Sequence, residues 1–347
     1  MAIGWAFVGT GRHPDNRVAP GMALAEDTEL VAAYSRDRGR AEEFASKHGI
    51  KAAYDSLEEL LGDSRVDAIF LASPNHLHAS YTQMAAQAGK HVLVEKPMSL
   101  TVEEGVDMVK ACKARGVKLG VGFQLRVHPG HMEARRLIRE GALGSVALAQ
   151  AQIGAGTRGE LRRPARTGLS EWWEHPDMIG GASAMMGTGT HSIDDLHFIL
   201  GQTVVEIAAI TDGQTPEAPL ETLATMCLRF SGGAMGMVYC SSRLPDSKND
   251  VTIYGSDGRI VLKDSSRPTL AGGLEVTSET VNTTVSYEPD PLALFKWQAE
   301  AFNQAIRKDE DPPASGIDGL KVVQVTLGMI ESASKGRTVK LEPLPAL

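Results

Sequence analysis

The chain has 347 residues, of which 42% are hydrophobic and 22% charged, and its formal net charge is -8 at pH 7. The length predicts two domains, and the composition excludes a collagen-like or low-complexity chain. The acidic balance argues against nucleic acid as a partner, because nucleic-acid binders carry net or patterned positive charge.

No apolar run approaches the roughly 20 residues needed to cross a bilayer. Residues 1–11 lack the basic flank and the cleavage site of a signal peptide. The three cysteines form no close pair, which fits a reducing compartment. We therefore predict a cytoplasmic protein with no membrane partner.

The first third of the chain alternates short apolar runs with segments of helical periodicity. The runs that predict buried strands are 3–8, 30–34, 68–72, 92–95 and 118–121. The helical segments between them are 40–47, 57–61, 81–88 and 102–115. Strands that alternate with helices predict parallel pairing through right-handed crossovers. We therefore predict an α/β domain over residues 1–125, with the doubly wound parallel sheet of a Rossmann fold.

The pattern changes after residue 125. A helix over 129–140 and a strand over 146–153 precede a long loop, 154–181, of a length that usually carries function. Extended runs separated by turn signals predict a large open, mainly antiparallel sheet, and they are 204–211, 222–230, 234–241, 251–254, 259–263 and 274–277. Helices are predicted over 192–200, 292–307 and 316–334. We predict an α+β domain over residues 126–347 for substrate binding and oligomerisation, with the last helices packing back on the first domain.

The first predicted strand runs directly into the loop Gly9-Thr10-Gly11-Arg12-His13-Pro14. The loop has the first two glycines of the dinucleotide fingerprint, but Pro14 stands where the third would fall. Such glycines let main-chain N–H groups approach a pyrophosphate at the start of a helix. The missing glycine predicts that the helix starts later, at Asp15 or beyond. An ordinary glycine-rich turn is the alternative, which the position after the first strand disfavours.

The end of the second predicted strand, Ser35-Arg36-Asp37-Arg38, indicates which dinucleotide binds. An acidic residue about 20 residues after the glycines favours NAD, whereas Ser35 and Arg36 occupy that place here. Because a guanidinium suits a 2′-phosphate, we predict NADP as the cofactor. NAD stays open, since a shift of one residue would present Asp37 to the ribose. A solvated loop is the structural alternative.

Four further motifs follow in order along the chain. They are Ser73-Pro74-Asn75-His76-Leu77-His78, Val92-Leu93-Val94-Glu95-Lys96-Pro97, Gly120-Val121-Gly122-Phe123 leading to Arg126, and Gly189-Thr190-His191-Ser192-Ile193-Asp194. Together they resemble the family of glucose-fructose oxidoreductases, inositol dehydrogenases and MocA proteins, over nearly the whole chain. The resemblance implies an NAD(P)-dependent oxidoreductase that forms a homodimer or tetramer. With the two loops above, it implies these cofactor-binding residues: Gly9, Thr10, Gly11, Arg12, His13, Ser35, Arg36, Arg38, Ser73, Pro74, Asn75, His78, Glu95 and Lys96.

The resemblance further implies that Lys96 and His191 are the catalytic residues and form a proton relay. An ammonium group would stabilise the oxyanion that develops as hydride leaves the substrate carbon. An imidazole, with a reference pKa of about 6.5, would take or return the hydroxyl proton. The family commonly has an aspartate four residues before the histidine, where this chain has Gly187. This departure argues against polyol dehydrogenation of the inositol type. Asp194 matches the family's second aspartate and is interpreted equally as a capping, packing or catalytic residue.

The long loop carries the clue to the substrate. Four arginines within nine positions precede two tryptophans, in an otherwise acidic chain: Arg158, Arg162, Arg163, Arg166, Trp172 and Trp173. A local reversal of charge can hold an anionic group, and tryptophan faces suit the C–H surface of a sugar. A solvated loop with one tryptophan in the core is the alternative. The residues expected at the substrate are Arg126, Arg166, Trp172, Trp173 and His191.

No metal site is predicted, because the histidine pairs His76/His78 and His128/His131 have no third ligand nearby in the sequence. The leading hypothesis is an NAD(P)-dependent oxidoreductase acting on a carbohydrate-like alcohol or ketone, such as an anhydro-sugar reductase or a sugar dehydrogenase. A second is an NAD-dependent glycosidase that transiently oxidises a hydroxyl of an anionic sugar and eliminates the glycosidic group. A third is a non-catalytic dinucleotide sensor, since a fold alone does not establish chemistry.

Overall fold

The computed structural model describes residues 1–159 and 165–347. The chain divides into two compact units. The first contains Met1–Gln124, Pro291–Leu320 and Leu347, and the second contains Leu125–Asp290 and Lys321–Ala346. None of the described helices is both long and apolar enough to cross a membrane.

The strands are β1 (Ile3–Val8), β2 (Thr28–Tyr34), β3 (Ala52–Tyr54), β4 (Ala68–Leu71), β5 (His91–Val94), β6 (Leu119–Val121), β7 (Val146–Gly154), β8 (Val204–Thr211), β9 (Leu223–Phe230), β10 (Met235–Ser241), β11 (Val251–Gly255), β12 (Gly258–Lys263), β13 (Gly273–Ser278), β14 (Asn282–Ser286) and β15 (Val339–Lys340). The helices are α1 (Ala19–Met22), α2 (Arg38–Lys47), α3 (Leu57–Gly62), α4 (His78–Gln87), α5 (Val102–Ala114), α6 (Pro129–Arg139), α7 (Pro176–Ile179), α8 (Thr190–Leu200), α9 (Ala293–Lys308) and α10 (Gly316–Lys335).

The sheet of the first unit has the strand order β3-β2-β1-β4-β5-β6, and every neighbouring pair is parallel. The strand order reverses between β1 and β4, which is the switch point at which doubly wound sheets bind ligands. The carboxyl ends of all six strands meet at one edge, because the strands are parallel. The predicted Rossmann architecture is confirmed.

An aromatic core holds this sheet to its helices. Trp5, Phe7 and Phe70 are fully buried on the central strands. The indole N–H of Trp5 donates to Asn303 Oδ1 at 2.9 Å, and its ring lies 5.4 Å from that of Phe302. Helix α9, from the late part of the chain, is therefore part of the core of the first unit.

The helix after the glycine loop starts earlier than predicted. Helical backbone begins at Arg12, and Asp15 N donates to Gly11 O at 3.1 Å. A π-helical turn then spans Pro14–Val18. The predicted start at Asp15 or beyond is wrong. Proline is tolerated in a first turn, since an N–H there has no partner within the helix.

The second unit contains a nine-stranded sheet in the order β14-β13-β12-β11-β7-β10-β9-β8-β15. The pair β7 and β10 is parallel and the other pairs are antiparallel, so the predicted mainly antiparallel sheet is confirmed. Three short or weakly patterned strands, β3, β14 and β15, were not predicted. Strand β15 has only two residues and strand β14 is exposed throughout.

One face of this sheet exposes large apolar side chains. Ile210 is 77% exposed, and Met235, Met237 and Tyr254 are also exposed. The strand register places Met235 opposite Leu148, and Leu148 opposite Tyr254. Because residues paired directly across a sheet project from the same face, these side chains form one surface, which we call the open sheet face. Alternate residues of the same strands are buried on the other face.

A buried ion pair ties helix α8 to the start of the second unit. The guanidinium of Arg126 donates from Nε to both carboxylate oxygens of Asp194, at 3.1 and 2.9 Å, and from Nη2 to one of them at 2.7 Å. The two side chains are only 6% and 1% exposed. If either residue were replaced, the other would be a buried charge without a partner, and the free energy of unfolding would fall strongly.

We expect Arg126→Met to destabilise the protein by about 3–5 kcal/mol, because it leaves the Asp194 carboxylate buried without its guanidinium. The matched control is Arg158→Met, which breaks an ion pair with Asp246 whose side chains are 82% and 66% exposed. This control should cost at most about 1 kcal/mol. The urea midpoint of unfolding measures both. Equal midpoints for the two variants would contradict the role assigned to the buried pair.

Candidate active site

The predicted cofactor-binding residues follow the carboxyl ends of four strands in the first unit. Gly9 follows β1, Ser35 follows β2, Ser73 lies two residues beyond β4, and Glu95 and Lys96 follow β5. The parallel sheet brings these segments to one edge, and β1 and β4 flank its switch point.

The glycine loop has the backbone of a phosphate cradle. Gly9 has φ +112°, and a Cβ there would lie 2.5 Å from Ala72 O, so only glycine fits. At Gly11, by contrast, a Cβ would meet no atom of residues 1–159 or 165–347 within 4 Å. The loop is thus held against β4 on one side and open on the other. Its glycines and the helix start at Arg12 fit the pyrophosphate of a dinucleotide.

The segment after β2 contains two candidate ribose-binding groups, the Arg36 guanidinium and the Asp37 carboxylate, and they differ in their contacts. The Asp37 carboxylate accepts a hydrogen bond from Arg40 N at 3.0 Å and caps helix α2. Arg38 donates to Glu42 at 2.8 Å. Arg36 is exposed and makes no hydrogen bond or ion pair within the described parts of the chain. Ser35 is 7% exposed, and its Oγ accepts from Asp37 N. Of the two candidates, Asp37 is engaged by the helix and Arg36 is not.

The carboxylate of Glu95 links the end of β5 to the glycine loop. Its Oε1 lies 3.2 Å from His13 Nε2, and its Oε2 accepts from Lys96 N at 3.2 Å. A Cβ at Gly122 would stand 3.0 Å from the same carboxylate, so the neighbouring strand end leaves just enough room for it. Glu95 therefore fixes the main chain from which the Lys96 side chain departs.

His78 lies beneath this edge rather than on its surface. Its ring is fully buried, with Nδ1 2.8 Å from Pro97 O and Nε2 2.9 Å from Ser73 O. Burial lowers the pKa of His78, against the effect of these two carbonyl groups. Asn75 is also buried, with 3% exposure. His78 connects the segments after β4 and β5, and it would act on a ligand through them.

In the second unit, His191 is the second residue of helix α8 and is 9% exposed. Asp194 and Asp195, one turn later, are each 1% exposed. Asp194 holds Arg126, as described above, so the guanidinium predicted at the substrate is engaged with helix α8. Asp195 lies 3.3 Å from His131 Nδ1. Both carboxylates thus anchor the helix that carries His191.

Glu221 lies between β8 and β9 and supplies a third buried carboxylate, which contacts the turn before this helix; sequence reasoning did not identify it. It is fully buried and accepts hydrogen bonds from Ser183 N at 3.0 Å, from Met185 N at 2.8 Å and from Gln214 Nε2 at 3.0 Å. Burial raises the pKa of Glu221, against these donors. It caps the π-helical turn Met185–Gly189 that leads into α8. A lone glutamate before a strand carries no signal of this role.

The side chains of Arg166, Trp172 and Trp173 stack on one another in the second unit. The guanidinium of Arg166 lies 4.3 Å from the centre of the Trp173 ring, and the rings of Trp172 and Trp173 are 4.8 Å apart. Arg158 is highly exposed and pairs with Asp246. Arg162 and Arg163, which complete the predicted arginine group, lie outside the described residues. The structure thus brings together three of the residues predicted at the substrate, Arg166, Trp172 and Trp173.

Three of the four histidines considered as metal ligands, His78, His128 and His131, face other groups. His128 Nδ1 accepts from Gly130 N at 3.1 Å and caps α6, and burial lowers the pKa of His128 to about 3. His131 faces Asp195 and Ser265. Within residues 1–159 and 165–347, no group of three or more His, Cys, Asp or Glu side chains is arranged to hold a metal ion.

Comparison with known proteins identifies both units. Residues 3–123 match the family model "Oxidoreductase family, NAD-binding Rossmann fold", and residues 131–261 match the "GFO/IDH/MocA C-terminal domain". The crystal structure of aldose-aldose oxidoreductase from Caulobacter crescentus, complexed with glycerol, superimposes with a TM-score of 0.85 and 26% sequence identity. That match covers 98% of this chain and 100% of the other.

Two curated relatives are similar over almost their whole length. The 1,5-anhydro-D-fructose reductase of Ensifer adhaerens is 28% identical over 97% of this chain and 98% of its own. The D-xylose 1-dehydrogenase (NADP(+)) 2 of Haloferax volcanii is 28% identical over 97% of this chain and 99% of its own. Both family models match in order along the chain, one on each unit. The chain therefore belongs to the Gfo/Idh/MocA oxidoreductase family and is an NAD(P)-dependent oxidoreductase.

Proposed function

We propose that this enzyme transfers hydride between NADP and a cyclic sugar ketone or alcohol, with reduction of an anhydro-sugar ketone as the leading reaction. The main support is the Lys96 position, which follows β5 at the same sheet edge as the glycine cradle. The names of the relatives support the substrate class, since one is a reductase of an anhydro-ketose and the other a dehydrogenase of an aldose.

Lys96 and His191 have separate tasks in this proposal. When bound, the nicotinamide supplies or accepts the hydride. The Lys96 ammonium hydrogen-bonds the substrate oxygen and stabilises the negative charge that develops on it. The His191 imidazole gives that oxygen a proton during reduction and takes it back during oxidation. Glu95 and His78 act as positioning residues, because they hold the main chain on either side of Lys96.

The preference for NADP rests on the segment after β2. Asp37 already caps α2, and a carboxylate that accepts from the main-chain N–H of Arg40 is poorly placed to accept from ribose hydroxyls as well. Arg36 is exposed and keeps its donors for a ligand. A guanidinium forms bidentate, charge-assisted hydrogen bonds with phosphate, which favours the 2′-phosphate of NADP over the hydroxyl of NAD.

Self-association through the open sheet face is also part of the proposal. Contiguous apolar surface is unfavourable in water, and large exposed patches mark interaction sites. The face carries both methionines of β10, Met235 and Met237, beside Tyr254 and Ile210. A second copy of the same chain would cover it through an isologous contact, which gives a dimer.

Replacing Arg36 tests the cofactor preference. Arg36→Ala should raise KM for NADPH by at least about tenfold, because it removes a charge-assisted contact to the phosphate, and should leave KM for NADH nearly unchanged. Arg38→Ala should have a smaller effect on KM for NADPH, since Arg38 already pairs with Glu42. Initial rates at 340 nm measure both. An equal rise for the two coenzymes would contradict a contact with the 2′-phosphate.

Replacing the two proposed catalytic residues tests the chemistry. Lys96→Met and His191→Asn should each lower kcat by about 100-fold or more, while the dissociation constant for NADPH stays within about twofold. If the residues act as a unit, the double variant should be no slower than the slower single one. Lys113→Met, on the exposed surface of α5, is the control. Turnover of a sugar with no net change in absorbance would instead indicate the redox-neutral glycosidase.

Sedimentation velocity tests self-association. The wild-type chain should sediment as a dimer or larger, and Met237→Glu should shift it toward the monomer because it places a charge in the centre of the open sheet face. Met132→Glu changes an equally exposed methionine on α6, outside that face, and should leave the distribution unchanged. A wild-type monomer at micromolar concentration would refute this part of the proposal.

A further inference from the structure

The side chains of His13 and Glu95 join two segments that are 82 residues apart in the sequence. His13 lies in the glycine loop, and Glu95 is the residue that follows β5. His13 Nε2 lies 3.2 Å from Glu95 Oε1. Because an ionised carboxylate only accepts hydrogen bonds, the imidazole is the donor. The loop with the backbone of a phosphate cradle is therefore bonded to the strand end that carries Lys96.

The carboxylate of Glu95 has little freedom to turn. Its second oxygen, Oε2, accepts from Lys96 N at 3.2 Å. A Cβ at Gly122, which follows β6, would stand 3.0 Å from Oε1. The carboxylate thus contacts the glycine loop, the main chain of Lys96 and the segment after β6 at once. A rotation that broke its bond to His13 would also change its bond to Lys96 N.

His13 also contacts the core of the first unit. Its ring lies 5.5 Å from the ring of Phe295, in an edge-on arrangement with an interplanar angle of 67°. Phe295, in α9, is 2% exposed, and a Cβ at Gly21 in α1 would lie 2.7 Å from its Cβ. Because α1 and α9 approach so closely, the Phe295 ring is fixed in place. The imidazole therefore reaches Glu95 from a well-defined position.

The main chain at Lys96 is held by an anchor on each side. Before it, the Glu95 carboxylate accepts from Lys96 N. After it, the buried His78 ring lies 2.8 Å from Pro97 O. The anchor at Glu95 is the one that His13 connects to the glycine loop. A shift of that anchor moves the base of the Lys96 side chain, and a displacement of about 1 Å at a catalytic group can lower a rate about 100-fold.

We propose that His13 is a positioning residue for Lys96. It fixes the carboxylate of Glu95, and through it the main chain of Lys96, to the loop that receives the phosphates of the dinucleotide. The inference rests on the proposed roles of the glycine loop and of Lys96. It adds that the loop and the lysine move together, so that loss of the His13 side chain impairs the chemical step more than it impairs cofactor binding.

Replacing His13 separates these two effects. His13→Ala should lower kcat about tenfold, because the Glu95 carboxylate loses a donor, while the dissociation constant for NADP, measured by calorimetry, stays within about threefold. Tm should fall by less than about 3 °C, since the His13 side chain is 41% exposed. His13→Gln, whose amide keeps a donor near the position of Nε2, should restore at least about half of the wild-type kcat.

Hydrogen exchange measures the link without cofactor or turnover. In the cofactor-free protein, His13→Ala should speed exchange of the Lys96 amide at least about threefold, because the oxygen that accepts from it is no longer held. His48→Ala is the matched control, since His48 Nε2 lies 2.8 Å from Asp15 Oδ1 in another histidine–carboxylate pair of the first unit. It should leave Lys96 exchange and kcat unchanged, although the His48 side chain is more buried than that of His13.

A double variant tests whether His13 acts through Glu95. Adding His13→Ala to Glu95→Ala should leave kcat within about twofold of Glu95→Ala alone. Effects that multiply would show that His13 contacts the cofactor or the substrate itself, and would overturn the inference.

The remaining outcomes separate this inference from the proposed reaction. Unchanged Lys96 exchange in His13→Ala, or unchanged kcat in an active enzyme, overturns the inference even if the enzyme reduces sugar ketones with NADPH. Faster Lys96 exchange in His13→Ala but not in His48→Ala, without NADPH oxidation by any sugar ketone in wild type, supports the link and refutes the proposed reaction.

Discussion

The second unit depends on the rule that a buried charge must have a partner. Helix α8 carries two carboxylates with 1% exposure, Asp194 and Asp195, and the π-helical turn before it contacts a third, that of the fully buried Glu221. Glu221 accepts from the main chain at Ser183 and Met185, and Asp194 pairs with Arg126. Asp195 accepts from Ser266 Oγ and lies 3.3 Å from His131 Nδ1. Displacing the helix would separate several desolvated charges from their partners at once, which costs far more than a shift of apolar side chains. His191 is therefore held on a helix with little freedom to move.

In the first unit, main-chain geometry rather than buried charge fixes the positions of the candidate site residues. Parallel strands end at one edge, so the glycine loop, the segment after β2 and the end of β5 are neighbours without any long-range recognition between side chains. The few polar contacts that remain refine the arrangement. Asp37 illustrates this, because its carboxylate accepts from Arg40 N at the start of helix α2.

Most of the fold was predictable because its signals are local. The apolar runs and helical periods of residues 1–125 predicted five of the six parallel strands, and only the three-residue β3 was missed. Strand β14 was missed because it is exposed on both faces and has no alternation, and β15 because two residues carry no period. The helix start at Arg12 was misjudged because the missing third glycine was taken to displace it, whereas the proline in its place is tolerated in a first turn.

The positions of the proposed site residues were predictable where these residues follow a strand end, and were not where they depend on contacts distant in the sequence. Lys96 and the glycine loop follow strands, so a linear motif is enough to place them. Glu221 caps a turn 36 to 38 residues earlier, and Arg126 binds an aspartate 68 residues later. No spacing rule relates such residues, and each has an ordinary exposed alternative when read alone. Arg126 shows the consequence: its place after the last strand of the Rossmann sheet suggested a substrate contact, while a buried guanidinium needs a carboxylate first, and Asp194 is that carboxylate.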